Sequence, residues 1–114
     1  MNDQELTNAL VLRIMGWKCA PGRFIKPNRG WTPQWKFQPL KKPEHALELL
    51  DKAAPQLFTM EGDEKKGFCV KVRIAGVTGE ARGQSRPRTI AYAIAFAVGI
   101  AVPEKIDERS NNGF

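Results

Sequence analysis

The chain has 114 residues, of which 42% are hydrophobic and 26% are charged. This is the composition of an ordinary globular protein, and the length favours a single domain. The longest unbroken apolar run, residues 90–102, has 13 residues, which is too short for a membrane-spanning helix of about 20 residues. The N-terminus is polar and acidic, so no secretory signal is predicted. Two cysteines do not make a disulfide framework, and a cytoplasmic protein is expected.

The positive charge is concentrated in one segment. Eighteen basic and twelve acidic residues give the chain a net charge of +6. Residues 16–43 contain seven lysines and arginines and no acidic residue. Such a segment raises the local electrostatic potential, and it attracts phosphates or carboxylate-rich protein surfaces.

A first helix is predicted over residues 3–15. Leu6, Leu10 and Ile14 recur at a spacing of four, which places them on one helix face. Asp3 belongs to the residue types that cap helix N-termini. Gly16 follows at the point where helices commonly end in a left-handed residue.

The segment that follows is rich in proline and tryptophan. Residues 17–43 contain five of the eight prolines and all three tryptophans. Because proline lacks a backbone donor and restricts the preceding residue, neither a helix nor a long central strand fits here. Short extended pieces are predicted at residues 17–19, 23–25 and 34–37.

A helix and three strands are predicted next. The helix covers residues 43–54, with Pro43 in its first turn and Pro55 after its end. Strands are predicted at residues 57–61, 68–74 and 80–84, with a hairpin turn over 76–79. Within the second strand, apolar residues alternate with polar ones, which is typical of a half-buried strand in an antiparallel sheet.

A third helix is predicted from Ser85, a good capping residue, to about residue 102, where Pro103 follows. Large residues alternate with alanine or glycine in this stretch, a pattern that also fits a strand. The stretch is longer than a usual strand, and alanine favours a helix. The side chains expected to face the sheet are Ile90, Ala91, Ile94, Ala95 and Val98.

These elements predict an α+β fold, with an antiparallel sheet of four to five strands packed against three helices, in the order α-β-β-α-β-β-β-α. Residues 1–103 are predicted to form a single domain. Residues 104–114 are predicted to form a polar, flexible tail.

The sequence shows no recognisable catalytic or cofactor site. His45 is the one histidine, and no second His or Cys stands at metal-ligand spacing from it. Cys19 and Cys69 are expected to be buried or half-buried thiols in a reducing compartment. A protein that is not an enzyme and that has no metal and no cofactor is therefore expected.

The aromatic and basic residues of segment 16–43 are the main candidate for a binding site. Nucleic-acid bases stack on aromatic faces while lysine and arginine hold phosphates. The competing interpretation is that the tryptophans are core or loop anchors and the charges a solvated surface, since tryptophan is highly buried on average. The candidate residues are Arg23, Lys26, Arg29, Trp31, Trp35, Lys36, Lys41 and Lys42.

Arg86 and Arg88 form a second candidate site. They stand at the start of the third predicted helix, where arginine side chains and free backbone amides hold an anion together. The competing interpretation is a solvated helix start.

Short motifs spread over residues 5–98 carry a resemblance to a known family. They are the helix end Met15-Gly16-Trp17-Lys18, Trp31 with Trp35-x-Phe37-x-Pro39, the helix Ala46-Leu47-Glu48-Leu49-Leu50, the strands Phe68-x-Val70-x-Val72 and Gly79-x-Ala81, and the helix opening Arg88-Thr89-Ile90-Ala91-x-Ala93. In these motifs the chain resembles small phage and prophage proteins with the phage ABA-sandwich domain. The resemblance implies an antiparallel sheet between helical layers and a phage origin, with no catalytic residue to carry over. The chain departs from the family in a longer basic insert at 20–34 and in an alanine-rich last helix.

A second resemblance covers the C-terminal third. A strand over residues 68–74, the stretch Gly79-Glu80-Ala81-x-Gly83-x-Ser85-Arg86-x-Arg88 and an alanine-rich helix look like a double-stranded RNA-binding domain. In that family a lysine cluster at the helix start grips phosphates across the groove. Arg86 and Arg88 would take that role here, but Pro87 separates them, and the helix at 43–54 is extra.

Two functions are therefore weighed. The first is a phage-derived binding protein that acts on a host or phage protein or ribonucleoprotein in the bacterial cytoplasm, for example as an anti-CRISPR-like inhibitor of host defence. The second is a nucleic-acid-binding module, for double-stranded RNA or for a single strand, that uses segment 16–43 with Arg86 and Arg88. No membrane partner is expected, and the oligomeric state stays open.

Overall fold

The computed structural model describes residues 2–28, 30–63 and 65–100. The first helix, α1, spans Asp3–Leu10 and continues as a π-helical turn over Val11–Met15. Gly16 ends it in a left-handed conformation, as predicted.

Asn2, and not Asp3, caps α1. The Asn2 side-chain oxygen accepts from the backbone N–H of Glu5 at 2.8 Å, and the Glu5 carboxylate accepts from the backbone N–H of Asn2 at 2.9 Å. The prediction that Asp3 is the cap was wrong because Asn2 is also a capping residue type and stands three residues before Glu5, the spacing of a capping box. Asp3 is thereby left with its carboxylate available for a distant partner.

The proline-rich segment forms a small antiparallel sheet. Its strands are β1 (Lys18–Ala20), β2 (Arg23–Ile25) and β3 (Trp31–Pro33), in the order β1-β2-β3. The strand predicted at 23–25 is confirmed, whereas the extended piece predicted at 34–37 was wrong. Gln34–Lys36 is a turn of 3₁₀ helix, closed by a hydrogen bond from the Phe37 N–H to the Gln34 carbonyl at 3.2 Å.

The second helix, α2, spans Pro43–Ala53, one residue shorter than predicted. Ala54 takes a left-handed conformation at its end, with φ +51°. The following residue is Pro55, whose ring disfavours the right-handed helical region for the residue before it. Helix α2 therefore ends where proline chemistry dictates.

The second sheet is a meander of β4 (Leu57–Asp63), β5 (Gly67–Ile74) and β6 (Val77–Gly83). The predicted alternation in β5 is confirmed: Val70 and Val72 are fully buried, whereas Lys71 is exposed. Residues directly opposite each other on antiparallel strands share a face, so the registers Val72↔Gly79 and Val70↔Ala81 place small residues of β6 on the buried face.

The β5–β6 turn lies earlier than predicted. Ala75 and Gly76 both have positive φ, at +51° and +82°, which is the backbone of a two-residue type I′ turn. The turn predicted over 76–79 was wrong because Gly79 serves a different purpose, inside β6. A Cβ on Gly79 would stand 2.2 Å from the Ala93 carbonyl oxygen, so the missing side chain lets the third helix lie directly on the strand.

The third helix, α3, spans Arg86–Val98 and is capped by Ser85 as predicted. It ends at Val98, four residues before the predicted end at 102, and Gly99 follows with φ +79°. The prediction overlooked glycine as a helix terminator, and residues 101–114, including Pro103 and the predicted tail, lie outside the described residues. The faces predicted to be buried were confirmed for Ile90, Ala91, Ile94 and Ala95, and Val98 is half-buried.

One core joins the elements. Helix α3 packs on β5 and β6 with one side and on α2 with another, while the π-helical turn also packs on α2. This position explains why α3 is buried on most of its circumference. The fully buried side chains of the core include Leu6 and Leu10 of α1, Phe24 of β2, Leu49 of α2, Val70 of β5 and Ile90 of α3.

The α+β class with three helices and the predicted element order is confirmed, but the strands form two sheets of three strands instead of one sheet of four to five. Proline limits β1, β2 and β3 to three residues each, too short to extend the longer sheet. The family resemblance implied helical layers on both faces of a sheet. In the described residues, helix α3 covers one face of the β4–β6 sheet, while Lys71, Arg73, Glu80 and Arg82 are exposed.

Candidate functional site

The basic segment is anchored to the core by aromatic side chains. The half-buried Trp17 lies against Phe24 and Phe37, with ring centroids 6.1 and 5.3 Å apart. Phe37 in turn stacks on His45 at 5.4 Å, and the His45 ring accepts a hydrogen bond from the Gln38 backbone N–H at 2.9 Å. For Trp17 the interpretation of tryptophan as an anchor is therefore correct, and His45 has a structural role at the start of α2.

Trp31 and Trp35 are exposed, in contrast to Trp17. Their relative exposures are 63% and 64%. Trp31 pairs with Ile25 in the register of β2 and β3, while the neighbouring Phe24 pairs with Thr32. Because successive side chains point to opposite faces of a strand, the burial of Phe24 places Trp31 on the solvent side.

Basic side chains lie beside both exposed indoles. The Arg23 guanidinium stands 6.0 Å from the centre of the Trp31 ring, and the Lys36 ammonium stands 5.5 Å from that of Trp35. These distances are within the range of cation–π attraction. We call Arg23, Trp31, Trp35 and Lys36 the indole–cation surface.

The two halves of the indole–cation surface meet at the turn between β1 and β2. The backbone N–H of Gln34, next to Trp35, donates to the carbonyl of Gly22 at 3.1 Å. Gly22 directly precedes Arg23, whose guanidinium lies over Trp31. The sequence-predicted residues Arg23, Trp31, Trp35 and Lys36 are thus brought to one region of the molecule.

The remaining candidates in the segment are placed differently. Lys41 and Lys42 are exposed just before α2, and the half-buried Lys26 lies 5.1 Å from the ring of Trp17. Arg29 lies outside the described residues. Within the part of the chain that the structure describes, neither ion pair involves a cation of segment 16–43, so the positive charge of this segment is not neutralised by contact with carboxylates.

Arg86 and Arg88 are not equivalent. Arg86 is exposed at the first residue of α3. Arg88 donates two hydrogen bonds to the Asp3 carboxylate, at 2.7 and 2.8 Å, and one to the Tyr92 hydroxyl at 3.0 Å. Asp3 already compensates the charge of Arg88, and the contact connects α3 to α1. The predicted anion site needed an Arg88 side chain that is exposed and not paired with a carboxylate.

The pairing with Arg88 changes the acidity of Asp3. The hydrogen bonds from Arg88 lower the pKa of the Asp3 carboxyl below its usual value, against the opposing effect of partial burial. The charge of Lys41 lowers the same pKa further, which means that Lys41 stands near the pair.

An open groove runs beside Trp35. It has a volume of about 820 Å³ and lies between the first turn of α1 and residues 34–41. Sequence reasoning missed it because its walls come from two segments with no motif in common. Its lining includes the amide side chains of Asn2, Gln4, Gln34 and Gln38, together with Asp3, Trp35 and Lys41.

Cys69 is half-buried as predicted, whereas the prediction that Cys19 is buried or half-buried was wrong, because Cys19 lies on the edge strand β1 and is exposed. The Cys19 thiol donates to the Asn8 carbonyl at 3.6 Å, and the Cys69 thiol donates to the Glu80 carboxylate at 3.4 Å. Partial burial raises the pKa of both thiols, and for Cys69 the Glu80 contact raises it further. A raised pKa leaves less of the reactive thiolate.

Two kinds of site are not found in the residues described. No group of three or more His, Cys, Asp or Glu side chains is arranged to hold a metal ion there. Across the same residues, no helix combines the length and apolar character that crossing a membrane requires.

The fold is shared with a phage protein. The crystal structure of a phage protein from Bacillus cereus ATCC 14579 is similar to this chain with a TM-score of 0.67 and 18% identity, covering 90% of this chain and 92% of that one. No protein-family model and no curated protein matches the chain. The comparisons therefore identify neither the phage ABA-sandwich family nor the double-stranded RNA-binding domain, while the fold itself occurs in a phage protein.

Proposed function

We propose that the protein is a non-enzymatic binding protein of phage origin that contacts an anionic macromolecule through the indole–cation surface. The observation that carries this proposal is the exposure of Trp31 and Trp35, each about two-thirds accessible, beside Arg23 and Lys36. The likeness to a Bacillus cereus phage protein supports the phage origin.

The exposed indoles supply the affinity in this proposal. A tryptophan side chain buries about 150–250 Å² when it is covered, and tryptophan and arginine are the residues most enriched among those that dominate binding energies. Trp17 is half-buried and packed against the core, so high exposure is not a general property of the tryptophans of this chain. Exposure of two indoles to water is unfavourable in the free protein, and a partner that covers them gains the free energy of burying their apolar surface.

The cations select the charge of the partner. Lys18, Arg23, Lys36, Lys41 and Lys42 are exposed, and none of them takes part in an ion pair among the described residues. Exposed positive side chains that are not held in an ion pair accelerate and strengthen the binding of negative partners. An acidic surface of a host or phage protein or a ribonucleoprotein fits this charge, and inhibition of a host defence system, in the manner of an anti-CRISPR protein, is one role that such binding would serve.

Binding to two labelled polyanions tests the proposal. Fluorescence anisotropy is measured with a poly-glutamate peptide and with a single-stranded oligonucleotide at low and at physiological salt. We expect micromolar binding at low salt to at least one of them. For the oligonucleotide, Trp31→Ala is expected to lose about tenfold in affinity, since stacking of one base on an aromatic side chain is worth about 1–3 kcal/mol. Leu12→Ala, which removes a side chain that is 60% exposed on the π-helical turn, is the control that leaves affinity unchanged. Absence of binding to both probes at low salt refutes the proposal.

Nucleic acid is the second candidate partner, and the placement of the cations over the indoles favours it. A single strand offers both the flat base that stacks on an indole and the phosphate that a neighbouring cation holds. Each phosphate contact on a single strand contributes about −0.7 to the slope of log affinity against log salt. Lys36→Gln is therefore expected to make the slope shallower by about 0.7, whereas Lys71→Gln on the exposed face of β5 leaves it unchanged. Equal slopes for Lys36→Gln and the unmodified protein would count against a phosphate contact at Lys36.

A further inference from the structure

We propose that the groove beside Trp35 seats one base of a single-stranded nucleic acid. This inference rests on the proposed function, because the groove borders the indole–cation surface at Trp35. It adds a binding site for one base next to that surface, and it names single-stranded nucleic acid as the ligand.

The groove has room for a flat ring. It is open to solvent, has a volume of about 820 Å³, and has Trp35 as one wall. Trp35 is 64% exposed, so most of its surface is open to a ligand that enters the groove. A base in a duplex is stacked between its neighbours and cannot reach such a wall, whereas an unpaired base can.

Amide-bearing residues come from both walls of the groove, Asn2 and Gln4 from the start of α1 and Gln34 and Gln38 from the segment that carries Trp35. Base edges carry both donors and acceptors, and asparagine and glutamine side chains match them because each also carries both. The described hydrogen bonds use one polar atom each of Asn2, Gln4 and Gln38, leaving the Asn2 amino group and the side-chain carbonyl oxygens of Gln4 and Gln38 unclaimed by them. Gln34 makes no side-chain hydrogen bond in the described residues, so both of its polar atoms are available.

The charges at the groove fit a phosphodiester chain. Lys41 lines the groove, and the Lys36 ammonium lies 5.5 Å from the ring centre of Trp35. The one carboxylate in the lining is Asp3, and its charge is balanced by Arg88 at 2.7 Å. A phosphate near Lys41 therefore meets a net positive environment.

Other ligands use only part of this arrangement. An uncharged oligosaccharide would stack on the indole and bond the amides, but it would gain nothing from Lys36 and Lys41. An acidic protein surface would pair with the lysines, but it would not need a row of amides beside an indole. A single-stranded nucleic acid uses the indole, the amides and the lysines together.

The experiment measures binding of a fluorescein-labelled single-stranded RNA 12-mer, the matched DNA, the RNA duplex, poly-glutamate and maltohexaose. The variants are Trp35→Ala and Gln34→Ala, with Gln84→Ala as the matched control, because Gln84 is an exposed amide at the end of β6. We expect the single strands to bind best. Trp35→Ala is expected to weaken them about tenfold, from stacking worth about 1–3 kcal/mol per base, Gln34→Ala severalfold, and Gln84→Ala not at all. The melting temperature of each variant is measured as well. If Trp35→Ala lowers the melting temperature, the affinity of Gln34→Ala decides the test.

The outcomes separate this inference from the function on which it rests. If Trp31→Ala weakens single-strand binding while Trp35→Ala and Gln34→Ala do not, the binding function stands and the groove is overturned as the base seat. Binding of poly-glutamate without binding of single strands has the same meaning. A preference for uncharged maltohexaose over every polyanion overturns both the groove as the base seat and the proposed binding of an anionic partner. If none of the probes binds at micromolar protein and low salt, the proposed function and the groove both fall.

Discussion

Two regions of the molecule are packed in different ways: one is built from α3 and the β4–β6 sheet, and the other is the basic segment 16–43. In the first, small residues allow backbone to lie against backbone, as Gly79 does beneath Ala93 and Ala97. In the second, strands of three residues are held by a few large rings, with Trp17 and Phe37 against the core. The comparison teaches that small residues let α3 and β6 pack closely without large rings, whereas anchoring by a few rings leaves their neighbours Trp31 and Trp35 exposed.

The same contrast applies to the arginines. Arg88 stands on α3 and is bound to Asp3 through two hydrogen bonds, so it connects the two ends of the described chain. Arg23 stands on the small sheet, is exposed, and lies over an exposed indole. One arginine stabilises the fold, and the other is available to a ligand.

Gly79→Ala is the strongest test of the closely packed half. The added Cβ would lie 2.2 Å from the Ala93 carbonyl oxygen and 2.5 Å from the Ala97 nitrogen, and both are backbone atoms of a buried helix that cannot move aside cheaply. We expect a loss of about 3 kcal/mol in the free energy of unfolding, at the upper end of overpacking costs, measured by urea denaturation. Gly99→Ala is the control, since its Cβ meets nothing within 4 Å and only the left-handed φ of +79° is strained, at a cost of about 1 kcal/mol. Equal losses for the two variants would mean that close packing at Gly79 is not what distinguishes this half.

Substituting the tryptophans one at a time sharpens the comparison within the basic segment. Trp17→Ala removes the contacts with Phe24 and Phe37 and is expected to cost about 2 kcal/mol, less than a fully buried tryptophan because Trp17 is half-buried. Trp31→Ala is expected to change stability by less than about 0.5 kcal/mol, as exposed substitutions do. Thermal or urea denaturation measures both. A loss for Trp31→Ala as large as that for Trp17→Ala would place Trp31 in the core and remove the basis of the indole–cation surface.

Asp3→Asn tests the contact that joins α1 to α3, and its expected effect is smaller than those of Gly79→Ala and Trp17→Ala. We expect a loss of about 1 kcal/mol near neutral pH, the value of a partly exposed ion pair. Because the folded-state pKa of Asp3 is lowered, this stability is fully present above the unfolded pKa of about 3.9 and is lost as the pH falls through the lower folded value. The difference in melting temperature between the two proteins should therefore shrink below about pH 4. Glu48→Gln, an exposed position on α2, is the comparison variant, and a difference for Asp3→Asn that persists at low pH would contradict the ion pair.

Local patterns were sufficient for most elements and insufficient where one residue type serves two purposes. The alternation of Val70 and Val72 with Lys71 predicted β5 because a strand has a period of two. Two predictions that depended on glycine were wrong. Gly79 was interpreted as a turn residue although it makes room for α3, and Gly99 was overlooked as the end of α3. In both cases the residue alone does not say whether its missing side chain is needed for the backbone angle or for a neighbour.

The candidate site was predicted in part. Composition drew attention to segment 16–43, and the structure brings Arg23, Trp31, Trp35 and Lys36 together as the indole–cation surface. The groove was not predicted, because Asn2 and Gln4 meet Gln34 and Gln38 only through folding. Nothing in the sequence spacing relates residues that are thirty or more positions apart.

The amino-acid sequence by itself determined the helices, the half-buried strand β5 and the concentration of positive charge in one segment, because periodicity, capping residues and charge act over short distances. Tertiary structure decided which tryptophans are buried, which arginine is paired, and that the strands divide into two sheets. These outcomes depend on contacts between distant segments, such as Arg88 with Asp3 and Trp17 with Phe37. A side chain is exposed or buried according to what the rest of the chain places beside it, and that is settled only when the core has formed.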